Sequence, residues 1–178
     1  ATDLRISSAA TKSGASFNIT NSLVMGSGAP VSAAGYWNAT TDNDQIASLE
    51  IVHRVQSKTN DFTGVAVRMS GTRSSFTGYA AGIRYNQEED SIALVLRKYS
   101  NSNIEFSTGT ELGRVALTIP TDISAIWASQ GDIIELRAIG TMIEVFIWSD
   151  IPSNNLGKAI TVIDSSISSG KLGIFQSG

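Results

Sequence analysis

The stretch Asp132–Trp148 constrains this chain more than any other. Two runs that alternate apolar and polar residues flank Gly140-Thr141. A two-residue loop with glycine first suits a type II′ turn, whose twist matches that of two antiparallel strands. Pairing follows from the turn. Ala138 opposes Ile143, Leu136 opposes Val145 and Ile134 opposes Ile147, all on one side. On the other side Arg137 opposes Glu144 and Glu135 opposes Phe146. One face is apolar and the other carries an opposite-charge pair, so a one-residue slip is disfavoured. Antiparallel sheet is therefore expected, with Arg137 and Glu144 as an ion pair.

Composition extends this to the whole chain. With 178 residues, 16 glycines and three prolines, and no long run of helical period, the chain reads as one all-β domain with a substantial core. A net charge of −3 argues against nucleic acid as the partner, because phosphate neutralisation needs a basic face. No run approaches the roughly 20 apolar residues of a membrane-spanning helix. Cysteine is absent, so no disulfide contributes. The first residues, ATDLRISSAATKSG, lack the basic and apolar regions of a signal peptide.

Strand-like runs recur at short intervals: Ser16–Met25, Ala34–Asn38, Gln45–Val55, Thr63–Met69, Tyr79–Tyr85, Ser91–Tyr99, Ile104–Ser107, Ala116–Ile119, Ile133–Ile139, Met142–Trp148, Ala159–Ile163 and Leu172–Gln176. Such spacing, with turn residues between, predicts a two-sheet antiparallel sandwich of about 12 strands. Residues 1–35 read as an N-terminal arm and first strand, a candidate to pack on a neighbour. Residues 36–178 read as the sandwich. Pro120–Ser129 is the one candidate helical turn.

Alternation assigns faces. Val65, Val67 and Met69 oppose Gly64, Ala66 and Arg68. Tyr79, Ala81, Ile83 and Tyr85 oppose Ala80, Gly82 and Arg84. Ile92, Leu94 and Leu96 oppose Ala93, Val95 and Arg97. The second face pairs small residues with arginines, Arg54, Arg68, Arg84 and Arg97. Small residues leave room above a sheet and guanidinium groups frame it. A shallow polar groove is one expectation there, and a plain solvent face the other.

The order of several segments resembles a known family. They are Asn43-Asp44-Gln45, Gly64–Arg68, Gly78-Tyr79, Ile92–Arg97, Gly131–Ala138, Gly140, Ile143–Val145, Asp164 and Ser169-Gly170-Lys171-Leu172-Gly173-Ile174. Across Tyr36–Gly178 this spacing is similar to the concanavalin A-like lectin/glucanase superfamily in its laminin-G-like form. The resemblance implies a jelly roll, with glycan or protein bound on a concave face or rim loops. It also implies relatives among bacteriophage virion components, hence a virion-surface or extracellular setting. In that frame Asp164 is expected to hold a turn, and Gly170 and Gly173 a close-packed closing segment.

No catalytic constellation stands out. The Glu-x-Asp-x-x-Glu strand of the family's glucanases is missing, so no carboxylate pair has the spacing of a retaining glycosidase. Glu88-Glu89-Asp90 reads as a solvated turn. His53 is the single histidine, on an apolar face with Leu49, Ile51 and Val55. No nucleophile elbow or phosphate loop occurs. Asp42 and Asp44, in an oxygen-rich loop entering a strand, are the candidate calcium ligands, with an Asx-rich turn the preferred reading of that loop. Otherwise no cofactor is expected.

Sugars stack on exposed aromatics beside fixed polar groups. Trp37 with Arg68, Tyr79, Arg84 and Arg97 is the candidate glycan platform; Trp127 and Trp148 are the other tryptophans. The first reading is a non-catalytic, lectin-like recognition module. The second is a structural protein that packs as a homo-oligomer or in a virion lattice. The third, a glycoside hydrolase or lyase, has the least support. An open arginine face favours glycan; a covered one favours assembly.

Overall fold

The computed structural model of the chain describes residues 16–20, 23–27, 33–36, 42–51, 62–71, 75–86, 91–103, 106–118 and 132–177. They form strands β1 (Ser16–Thr20), β2 (Leu23–Ser27), β3 (Ala33–Tyr36), β4 (Gln45–Ile51), β5 (Phe62–Ser70) and β6 (Phe76–Asn86). Next come β7 (Ser91–Ser102), β8 (Thr110–Leu117), β9 (Asp132–Ile139), β10 (Met142–Trp148), β11 (Gly157–Ile163) and β12 (Lys171–Ser177). Among the described residues no helix is long and apolar enough to cross a membrane.

Two antiparallel sheets make the body. One has the order β11-β10-β9-β4, and the other runs β3-β12-β5-β6-β7-β8. A separate hairpin pairs β1 with β2. The span Ser16–Met25, read as one strand, is thus two strands in register from Thr20↔Leu23 to Ser16↔Ser27. Only two residues separate them, a hairpin signal the apolar run obscured. In the span Ile104–Ser107, read as a strand, the described residues Phe106 and Ser107 belong to a 3-10 turn, Phe106–Thr108. Strand β8 starts at Thr110, ahead of the predicted Ala116, and includes Gly113. A Cβ there would lie 2.6 Å from Ile160 Cγ2, so glycine lets β8 and β11 approach across the sandwich. Pro120–Ser129, Trp127, Trp37, His53, Arg54 and Glu88–Asp90 lie outside the described residues.

The β9–β10 hairpin has the register its turn dictates, from Ile139↔Met142 to Ile133↔Trp148. Gly140 has φ 56° and Thr141 is not in the positive-φ region, the combination of a type II′ turn. Ile134, Leu136, Ala138, Ile143, Val145 and Ile147 are fully buried. They face Val65, Val67, Tyr79, Ala81, Ile83, Leu94 and Leu96 of the larger sheet, giving the central core.

A second cluster covers the opposite face of the larger sheet. Phe62, Ala66, Met69, Phe76, Ala80, Ala93, Val95, Tyr99 and Phe175 are all buried there. Phe175 meets Tyr99 at 5.1 Å and Phe62 at 5.4 Å between ring centroids. The larger sheet is therefore buried on both faces. Its strands show it in near-continuous apolar runs such as Ile92–Leu96.

Candidate functional site

The face expected to form an arginine-framed groove is not open. Gly64, Ala66, Ala80, Gly82 and Val95 do share one side, but they are buried. Arg97 lies among them, only 7% exposed. It donates to the Gly109 carbonyl and stands 3.5 Å from Glu111 Oε2. Arg114 holds the same Glu111 through two bonds of 2.9 and 2.8 Å. That pairing, with Arg97 and Arg84 nearby, keeps the Glu111 carboxyl below its ordinary range. Arg84 is half-buried on the same side, opposite Phe62.

Two further platform residues, Tyr79 and Arg68, are elsewhere. Tyr79 lies on the central-core side, fully buried, with its hydroxyl 3.0 Å from Asp164 Oδ1. Burial pushes that hydroxyl above its ordinary pKa. Arg68 leaves the face because β5 bulges between Val67 and Ser70. Its φ of 53° reverses the alternation, so Met69 joins the second cluster rather than Val65 and Val67. Arg68, Tyr79, Arg84 and Arg97 therefore do not make one platform, and Trp37 lies outside the described residues.

Freed from the face, Arg68 becomes a buried tie, 1% exposed. Its guanidinium donates to the carbonyls of Asn43 (3.0 Å), Ile167 (2.9 Å) and Gly140 (2.7 Å). Its backbone N–H donates to Gln45 Oε1 at 2.7 Å, and Gln45 Nε2 reaches the Asp42 and Gly170 carbonyls. Asp44 Oδ1 accepts the Gly140 N–H at 2.8 Å and stands 4.0 Å from Arg68. The loop proposed for calcium thus turns a carbonyl and a carboxylate toward a guanidinium and the hairpin turn. Among the described residues no group of three or more His, Cys, Asp or Glu side chains is placed to hold a metal.

Asp164 ties the other side of the same turn. Its N–H donates to the Thr141 carbonyl at 2.8 Å. Its carboxylate accepts from Lys98 Nζ (2.7 Å), Tyr79 and the Ser166 N–H (2.8 Å). Burial alone would raise its pKa, but Lys98, Ser166 and Tyr79 together hold it well below the carboxylate range. Gly170 packs directly on the Arg68 backbone with φ 144°, where a side chain would collide. Gly173 is buried in β12, paired with Tyr36 and Ala66. These residues hold the sandwich closed.

The exposed chemistry lies on the outer face of the four-stranded sheet. Register arranges it in rows. At the hairpin turn stand Ile163, Met142 and Ile139, followed by Thr161, Glu144, Arg137 and Ile46. Then come Lys158, Phe146, Glu135 and Ser48, and last Trp148, Ile133 and Glu50. Ile46 is 52% exposed, Ile163 70% and Trp148 37%, and Ile133, Ile139 and Met142 are exposed too. These six lie on one face, an apolar grouping that a solvated sheet surface does not need.

Charges cross the middle of this face. Glu144 does not pair with Arg137, which it opposes. It takes Lys158 at 3.0 Å, while Arg137 takes Glu135 at 2.5 Å. A bulge explains the exchange: Val145 pairs with Ile160 but Phe146 with Lys158, so Ala159 is extra and Lys158 turns outward. Arg137 lies 4.1 Å above the Phe146 ring, and Phe146 stacks on Trp148 at 5.6 Å with 12° between planes. The alternation of β9 and β10 in the sequence already places Ile133, Ile139, Met142 and Trp148 on one side.

No family model, curated protein or solved structure matches the chain.

Proposed function

We propose that this protein is a non-catalytic assembly module that docks through the outer face of its four-stranded sheet. One observation carries the reading: six large apolar side chains are exposed on that face, while the arginine face of the larger sheet is buried. Burying exposed isoleucine, methionine and tryptophan drives protein association. Four described carboxylates are paired with cations: Glu111 with Arg114, Glu135 with Arg137, Glu144 with Lys158 and Asp164 with Lys98. The strand order supports a jelly roll of the concanavalin A-like kind, since β3, β4 and β5 alternate between sheets and β3 lies beside β12. A virion lattice is the setting that this resemblance implies.

The test uses the chain in its native source. The endogenous chain is expected to sediment within a larger complex, and Ile163→Lys to release it without loss of folding. An endogenous chain that sediments free overturns the reading. A second reading, glycan recognition, has one observation in its favour: Trp148 stacked on Phe146, with Arg137 above and Glu135 beside, is an aromatic strip with fixed polar groups. Glycan-array binding lost on Trp148→Ala would select it.

A further inference from the structure

We infer that the outer face of the four-stranded sheet, at the end where Trp148, Ile133 and Glu50 lie abreast, receives an arginine from a partner protein. The inference rests on reading this face as a docking surface and adds the chemistry of the partner. Register sets the three residues side by side. Ile133 of β9 pairs with Trp148 of β10 on one flank and with Glu50 of β4 on the other. All three are exposed. The remaining charges in the rows of this face are used within it: Glu144 takes Lys158, and Arg137 takes Glu135. Glu50 is left with no cation among the described residues.

The neighbouring rows show what is missing. There an aromatic ring, a carboxylate and an arginine form one unit. Arg137 lies 4.1 Å from the centre of the Phe146 ring and 2.5 Å from Glu135. The terminal row again has an aromatic ring on β10 and a carboxylate, but Ile133 stands between them and no cation does. Phe146 covers one face of Trp148, and among the described residues no second ring or cation stacks on that indole. The backbones of β10 and β4 stand two strand spacings apart, about 10 Å. A guanidinium that lies within about 6 Å of the ring centre and bonds the carboxylate at about 2.8 Å spans a gap of this order, with Ile133 beneath it. An ammonium neither stacks nor forks, so arginine fits better than lysine. The chain's net charge of −3 favours encounter with a basic surface.

The test uses the chain in its native complex, followed by co-sedimentation. Glu50→Gln is expected to weaken retention about three- to tenfold and Trp148→Ala about tenfold or more. Ala116→Lys shifts net charge by the same amount as Glu50→Gln, on the edge strand β8 of the larger sheet, and leaves retention unchanged. A photo-crosslinking benzoylphenylalanine in place of Ile133 is expected to link a partner segment that carries an arginine. Exchange of that arginine for glutamate is expected to release the wild-type chain and to restore retention of a Glu50→Arg chain. A Glu50→Gln chain retained like wild type overturns the inference, and so does a crosslinked segment without an arginine. If Ile163→Lys still releases the chain in that case, the docking reading stands and only the partner's chemistry is wrong. Release by Trp148→Ala but not by Glu50→Gln, together with glycan binding, overturns the arginine in favour of a sugar. A chain that sediments free in its native source overturns both the reading and the inference.

Discussion

Arg68 Nη2 donates to the carbonyl oxygen of Gly140 at 2.7 Å, so the bulge of β5 holds the turn of the β9–β10 hairpin. The bond joins the two sheets at one end of the sandwich. Two further carbonyls, of Asn43 and Ile167, converge on the same guanidinium. A planar fork suits three separate acceptors; an ammonium on a flexible stem does not. Arg68→Lys is therefore expected to cost roughly 2 kcal/mol and Arg68→Ala roughly 3 kcal/mol, because the buried Ile167 carbonyl and the part-buried carbonyls of Asn43 and Gly140 lose their donor. Urea midpoints measure both.

The Asp164 clamp makes an acid-side prediction. Its folded pKa is depressed below the ordinary 3.8, so its contribution is complete above that value. The contribution is lost as pH falls through the folded pKa. Urea titrations at a series of acid pH values are expected to show wild-type stability falling as this carboxylate protonates. Asp164→Asn is expected to be less stable at neutral pH and to show a shallower fall. An identical acid slope in the two proteins would remove Asp164 from the account.

Strands β5 and β6 meet at Gly64↔Gly82. A Cβ on Gly64 would run into the Ala81 carbonyl oxygen, and one on Gly82 into that of Thr63. Both obstacles are backbone and cannot swing aside. Gly64→Ala and Gly82→Ala are each expected to cost about 2 to 3 kcal/mol or more by thermal or urea unfolding. Gly140 makes the contrasting case. Nothing lies within 4 Å of its would-be Cβ, so only its φ of 56° matters. Gly140→Ala is expected to cost about 1 to 2 kcal/mol, and Gly140→Asn less, since asparagine tolerates positive φ.

Legibility in the sequence followed the range of the interactions. The β9–β10 register was readable because a two-residue turn and strict alternation are local. The face shared by Gly64, Ala66, Ala80, Gly82, Ala93 and Val95 was readable for the same reason. Its fate was not, because burial depends on what covers a sheet; yet Val95 and Phe62 on the supposedly polar side already hinted at a second core. The Arg68 bulge was hidden: it depends on Gly78 in β6 and Gly170, just ahead of β12, accommodating the β5 backbone. The Glu144–Lys158 pair was hidden likewise, since a bulge at Ala159 reverses the side that Lys158 faces. At the candidate surface, alternation placed Ile133, Ile139, Met142 and Trp148 on one side, and their exposure emerged only once both sheets were assembled.

Lys158 offers a local check on that surface. Lys158→Met removes the cation from Glu144, which is only 7% exposed. The Glu144 carboxyl then loses its neutralising neighbour, and a loss of about 1 to 2 kcal/mol at neutral pH is expected. The double substitution Lys158→Met with Glu144→Gln is expected to recover most of it, as a double-mutant cycle by urea unfolding would measure.

Hydroxyl-radical footprinting of Met142 and Trp148 tests the central claim most directly. Both side chains are exposed on the outer face of the four-stranded sheet in the single chain. In the chain assembled in its native complex, both are predicted to be protected relative to the dissociated chain. Equal labelling of Met142 and Trp148 in the two states would contradict the assignment of this face as the docking surface.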